Sequence, residues 1–178
     1  PGAFTIREDE IVEVPESVLA RCQGNFVNLQ TVTDELKEKY DKSIGVLFPV
    51  LSRNRFSLIL EAVIRTELPI TLILTYPADE VGNQLMDVDT LIEHNINPYT
   101  DTITEEEYRK MTGASYPHPF TGIDYVQLYK DMAINDNVTI VFANDPLSVL
   151  DYTDEVLIAN IHDRHRLKRK LKEAGVRT

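Results

Sequence analysis

An α/β or α+β domain, a mixed sheet of four or five strands with helices packed on it, is what this sequence predicts, on three observations. Two apolar runs of strand length, Ile44–Phe48 and Ile70–Leu74, each carry at most one polar residue. Between them lies a stretch whose apolar residues recur at helical spacing. Two further strand-like runs follow towards the C-terminus, and 178 residues is the size of a single domain spanning 1–178.

The elements follow in order. Residues 1–16 mix Phe4, Ile6, Ile11, Val12 and Val14 with five acids, as in an edge strand or an extended N-terminal arm. Such an acidic arm needs the domain or a neighbour to hold it. Pro15 suits the first turn of a short helix over Glu16–Cys22, stopped by Gly24. Thr31 is placed to cap a helix running to Tyr40. Ser52 or Asn54 caps the next, whose Phe56, Ile59, Leu60, Val63 and Ile64 form an amphipathic stripe. With its two flanking strands, this helix makes a parallel β-α-β unit over residues 44–75.

Val81, Leu85, Val88 and Ile92 recur at helical spacing up to Asn95. Thr104 and Glu107 spell a capping box for a helix ending at Gly113. A stiff loop, Ser115–Phe120, leads to a second box at Thr121 and Asp124 and a helix carrying Tyr125, Tyr129 and Met132. Val138–Ala143 and Glu155–Ile161 read as strands, and Asp163 caps a last helix over Arg164–Ala174.

Composition excludes several classes. With 43% hydrophobic residues, 8% aromatics and one cysteine, the chain is neither disordered, collagen-like nor a disulfide scaffold. Cys22 is expected to be a buried structural thiol. No apolar run reaches the ~20 residues of a membrane span, and the N-terminus lacks the basic-then-apolar order of a signal peptide, so a soluble, cytoplasmic protein is expected.

The net charge of −11 is unevenly spread. Residues 162–178 hold seven bases, Arg164, Arg166, Lys168, Arg169, Lys170, Lys172 and Arg177, against Asp163 and Glu173. This local +5 leaves −16 on the rest, which repels nucleic acid and anionic membrane at long range. The helix also lacks the interleaved aromatics on which bases stack. The expected partner of Arg164, Arg166, Lys168, Arg169, Lys170 and Lys172 is therefore another protein or a second copy of this chain.

No P-loop, dinucleotide fingerprint, HExxH or CxxC pair is present, and no serine stands in a nucleophile elbow. His162 and His165 form the one histidine cluster and are expected to be solvated, as are His94 and His118 in their loops. No catalytic residue, metal or cofactor is expected on these grounds.

One segment supports a rival. Gly45–Val50, then Arg53–Asn54–Arg55, an apolar helix and a second strand resemble the opening of the family-2 glycosyltransferases. That resemblance implies a sugar-nucleotide site at the strand ends, near Ser52, Arg53, Asn54, Arg55 and Asp79, and Asp87–Val88–Asp89 has the spelling of the family's metal-holding Asp-x-Asp motif. The lead expectation is a non-catalytic assembly subunit of a larger complex, of the kind that builds a virus tail, neck or baseplate. The alternative is a small α/β enzyme taking a phosphorylated or sugar-nucleotide ligand at the 52–55 turn.

Overall fold

In the computed structural model, which describes residues 5–176 and Thr178, one five-stranded sheet organises the chain. The helices are α1 (Glu16–Cys22), α2 (Leu29–Lys39), α3 (Phe56–Ile64), α4 (Val88–Glu93), α5 (Glu105–Thr112), α6 (Tyr125–Asp131) and α7 (Arg164–Glu173). The strands are β1 (Ile44–Leu47), β2 (Ile70–Leu74), β3 (Ile103–Thr104), β4 (Val138–Phe142) and β5 (Val156–Ile158), and a 3-10 helix covers Pro146–Asp151. Phe4 of the expected arm and Arg177 of the basic tail lie outside the described residues.

The strand order is β3-β4-β2-β1-β5. β1, β2, β4 and β5 are parallel, with Ile44 opposite Ile70, Ile70 opposite Val138 and Gly45 opposite Val156. β3 is antiparallel to β4, which makes the sheet mixed as expected. β1, β2 and β4 are apolar runs because both their faces are covered. On one face Ile44, Val46 and Leu72 pack with Leu36 of α2, Leu60 and Val63 of α3, Tyr108 of α5 and Tyr129 of α6. On the other, Leu47, Ile73 and Val156 pack with Val149 of the 3-10 helix and Leu167 and Leu171 of α7.

Gly45 shows how tight the second face is. A Cβ there would collide with Val149 Cγ2 and lie 2.8 Å from Thr153 Cγ2. Only glycine lets the 3-10 helix lie this close to the central strand.

Several local expectations change. Asn28, not Thr31, caps α2, its Oδ1 accepting the Thr31 N–H at 2.8 Å. Arg55 is the N-cap of α3, and Ser52 Oγ accepts the Arg55 N–H at 3.0 Å instead of capping the helix itself. The helical spacing at Val81 and Leu85 is not a helix, since only Val88–Glu93 coils. Asp79 Oδ1 accepts the N–H groups of Val81 and Asn83 at 3.0 and 2.8 Å, so a side chain takes the bonds a helix would need. Residues 5–14 form no strand; a turn closes between Arg7 and Glu10, and the rest is irregular. Cys22 is exposed rather than buried, because α1 buries none of its residues.

The capping box of α5 is present, with Thr104 and Glu107 bonded reciprocally and Gly113 at φ 87° closing the helix. Among the described residues no helix is long and apolar enough to cross a membrane.

Candidate functional site

The turn between β1 and α3 is built by long-range bonds. The Leu51 N–H donates to Asp79 Oδ2 at 2.8 Å, and the Ser52 N–H donates to the Tyr129 hydroxyl at 3.0 Å. Burial holds the Tyr129 phenol well above its ordinary range, so it stays a neutral hydroxyl. Asn83 Nδ2 donates to the same oxygen, Asp79 Oδ2, at 2.7 Å. Asp79, a sequence candidate for ligand binding, is thus buried and occupied in holding two turns together.

Of the remaining turn candidates, Ser52 and Arg55 line a cleft of about 340 Å³, while Arg53 and Asn54 are exposed and do not line it. The cleft's floor is Phe56 and Ile59 of α3 with Leu157 and Ile158 of β5, and its far wall is Arg164, the first residue of α7. Two sequence candidates from opposite ends of the chain, Arg55 and Arg164, therefore meet across one apolar cleft. Neither has an ion-pair partner among the described residues, so the rim is cationic. The position is notable, because β1 leads to β2 on one side of the sheet while β5 flanks it on the other. Crevices at the carboxyl ends of strands that diverge in this way are the usual ligand sites of open α/β sheets.

α7 docks on the body through Leu167 and Leu171. Its cations divide into two groups. Arg166 Nε donates to Asp163 Oδ2 at 2.7 Å, and Lys170 Nζ donates to Asp145 Oδ1 at 2.9 Å. The Lys170 ammonium holds the Asp145 carboxyl below its ordinary value. Arg164, Lys168, Arg169 and Lys172 are exposed and have no ion-pair partner among the described residues. The tail is therefore neutralised within its own molecule at two of six positions.

Two more cavities flank this helix. One of about 610 Å³ lies between Phe48, Asn144, Asp145, Arg169 and Lys170, at the carboxyl ends of β1 and β4. The other, about 250 Å³, runs beside β5 between Lys39, Tyr40, Arg164 and Lys168.

Three polar residues at this end of the sheet were not singled out in the sequence. Glu80 accepts the N–H groups of Ile161 and His162 at 2.7 and 3.1 Å and bonds the His162 ring at 3.0 Å. Burial pushes its carboxyl up, but these donors outweigh burial and hold it below its ordinary value. Asn160 Oδ1 accepts the Asp163 N–H at 2.6 Å and orients the start of α7, and Asn144 bridges the backbones of Tyr76 and Pro98. An asparagine three residues before a helix N-cap is the signal that finds Asn160. His118, expected to be solvated, is buried, and its Nδ1 accepts the N–H groups of Phe120 and Thr121. Among the described residues no group of three His, Cys, Asp or Glu is placed to hold a metal ion. Asp87 and Asp89 stand at the start of α4 rather than after a strand.

No protein family, curated protein or solved structure matches this chain. Function is read from its own geometry and chemistry.

Proposed function

We propose that this chain is a non-catalytic assembly subunit, joining copies of itself or another protein through its N-terminal segment and the cationic face of α7. One observation carries this reading. Ile6, Ile11, Val12, Val14, Val18, Leu19, Phe26 and Val27 are all exposed, Ile11 at 95%, and α1 contributes nothing to either core cluster. Apolar side chains concentrated in one segment and left outside the core mark a protein interface. The unpaired cations Lys168, Arg169 and Lys172 add a charged surface on an acidic molecule, which favours partners of opposite sign.

Sedimentation of the full chain at low and high salt tests this reading. Association that weakens with salt and is lost in Lys168→Glu/Arg169→Glu/Lys172→Glu supports it. A monomer in every buffer, with no partner recovered by pull-down, overturns it.

A second reading is favoured by the position of the cleft between Arg55 and Arg164. An apolar floor with two cations and the Ser52 hydroxyl suits a phosphorylated or sugar-nucleotide ligand whose organic part is planar or apolar. Thermal unfolding with nucleotides, sugar nucleotides and inorganic phosphate tests it. Ligand at 100 times its Kd adds about 2.7 kcal/mol to stability, and no rise with any of these probes overturns it.

A further inference from the structure

The cleft between Arg55 and Arg164 is lined by four polar side chains, and each has a hydrogen-bond donor to spare. Those side chains are Ser52, Arg55, Asn160 and Arg164, and none of the chain's 29 acids joins them. Ser52 Oγ accepts the Arg55 N–H at 3.0 Å, which leaves its O–H to donate. Asn160 Oδ1 accepts the Asp163 N–H, which fixes the amide and leaves Nδ2 as a donor. Asn160 is only 8% exposed, and its Nδ2 has no partner among the described residues. Three carboxylates at this end of the sheet are engaged elsewhere. Asp79 holds the Leu51 N–H, Glu80 the N–H groups of Ile161 and His162, and Asp163 the Arg166 guanidinium.

Two helices begin at this cleft, and both depart from the usual placement of charge. Arg55 is the N-cap of α3 and Arg164 the first residue of α7. Each sets a cation at the positive end of a helix dipole, where an acid is the stabilising choice. Neither first turn contains an acid, and no side chain caps either helix. By contrast α5 carries Glu105, Glu106 and Glu107 in its first turn. Neither arginine has an ion-pair partner among the described residues. Two departures from a local rule at one cleft, with a buried donor beside them, are what an anion site leaves in a sequence.

The lining also selects among anions. Two unpaired guanidinia balance the charge of a phosphate dianion, whose three terminal oxygens offer acceptors to both forks, the Ser52 O–H and the Asn160 amide. A carboxylate brings one charge and two oxygens. A diphosphate brings more charge and ordinarily a metal ion, and no carboxylate lines the cleft to hold one. The floor then distinguishes one phosphate from another. Ile59 is 49% exposed beside Leu157 and Ile158, an apolar surface that inorganic phosphate would leave uncovered. At about 340 Å³ the cleft is near the lower end of the roughly 300–1,000 Å³ of ligand pockets, room for one phosphate and one compact group.

We propose that this cleft binds a phosphomonoester with a compact apolar or aromatic group. Arg55, Arg164, Ser52 and Asn160 hold its phosphate, and Ile59, Leu157 and Ile158 carry its organic part. The proposal rests on the ligand-binding reading of the cleft and narrows its ligand class to a monophosphate held without a metal ion.

The test is thermal unfolding of the full chain over concentration series of phenyl phosphate, inorganic phosphate, benzoate, and uridine diphosphate with Mg²⁺. Phenyl phosphate is expected to raise the Tm saturably, with a Kd about tenfold or more below those of inorganic phosphate and benzoate. Arg55→Gln and Arg164→Gln each weaken its binding about tenfold or more, the loss of a charge-assisted bond. Arg53→Gln, beside the cleft but not lining it, leaves binding unchanged. Ile59→Ser weakens phenyl phosphate and leaves inorganic phosphate as it was. Arg55 and Arg164 are exposed, so their variants keep the Tm of the wild-type chain without ligand.

Equal Kd values for phenyl phosphate and inorganic phosphate overturn the ester, and benzoate binding as tightly as phenyl phosphate overturns the dianion. Tighter binding of uridine diphosphate with Mg²⁺ overturns the monophosphate and leaves the ligand-binding reading standing. A loss in Arg53→Gln as large as in Arg55→Gln reduces the effect to general surface charge and overturns the site. Binding unchanged in both Arg55→Gln and Arg164→Gln overturns it as well. No rise in Tm with any of the four probes ends both the proposal and the reading beneath it.

Discussion

The Asp79 carboxylate accepts the Leu51 N–H at 2.8 Å, tying the turn after β1 to the turn after β2. The same group also accepts the N–H groups of Val81 and Asn83. Replacing it by alanine leaves three backbone donors without their partner, one of them on a buried residue. Asp79→Ala is expected to cost about 2–3 kcal/mol, read as a lower denaturant midpoint. It should also speed hydrogen exchange at the Leu51 amide, and protection equal to wild type at that amide would refute the linkage.

A second carboxylate contributes to the response to acid. Asp124 accepts from Arg109 Nη1 at 2.8 Å, from the Tyr116 N–H at 3.0 Å and from the Gln127 N–H at 2.9 Å, the last as cap of α6. Burial raises its carboxyl, but Arg109 and these N–H groups outweigh burial and hold it below the ordinary value. A group with a depressed folded value stabilises fully above its unfolded value and loses that contribution as pH falls through the folded one. Stability should therefore decline from about pH 4 downwards. Asp124→Asn should lower stability at pH 7 by about 3 kcal/mol and flatten the acid limb. An acid limb of unchanged steepness in that variant would contradict this assignment.

Gly45 predicts a steric penalty on the central strand. Because a Cβ there meets Val149 and Thr153, Gly45→Ala must displace the 3-10 helix or the strand. Overpacking of this kind costs about 1–3 kcal/mol. Val149→Ala should recover part of that loss in the double variant, as a thermal denaturation series would show. Additive losses in the pair would mean that the two side chains do not meet.

Two lysines of α7 should behave differently. Lys170 pairs with Asp145 in a half-exposed bridge, so Lys170→Ala is expected to lower stability by about 0.2–1 kcal/mol, less at high salt. Lys168 has no such partner among the described residues, so Lys168→Ala should leave unfolding unchanged while weakening association. Equal effects of the two substitutions on unfolding would remove the distinction.

Much of the fold was legible because its signals are local or saturated. β1, β2 and β4 are buried on both faces but for Thr71 and Thr139 and so read as nearly continuous apolar runs, and Thr104 with Glu107 spells its own cap. β3 was not legible, since Ile103–Thr104 becomes a strand only by pairing with Val141 and Phe142. The helical spacing around Val81 misled because Asp79 competes for the backbone, and spacing carries no information on that competition. The site was legible in pieces only. Ser52, Arg55 and Arg164 were each candidates, but their meeting depends on β5 lying next to β1, a long-range pairing that no local pattern encodes. Asp79 was a candidate for its place near the strand ends, and its carboxylate is instead a brace between two turns.

β1 lies between β2 and β5, so the middle of the sheet borders both an early neighbour and one of the last strands of the chain. During synthesis on the ribosome, the Gly45–Leu47 flank has no native cover until Val156–Ile158 has emerged. A nascent chain halted before that point presents an apolar half-sheet, the kind of surface that chaperones bind and that truncated products use to aggregate.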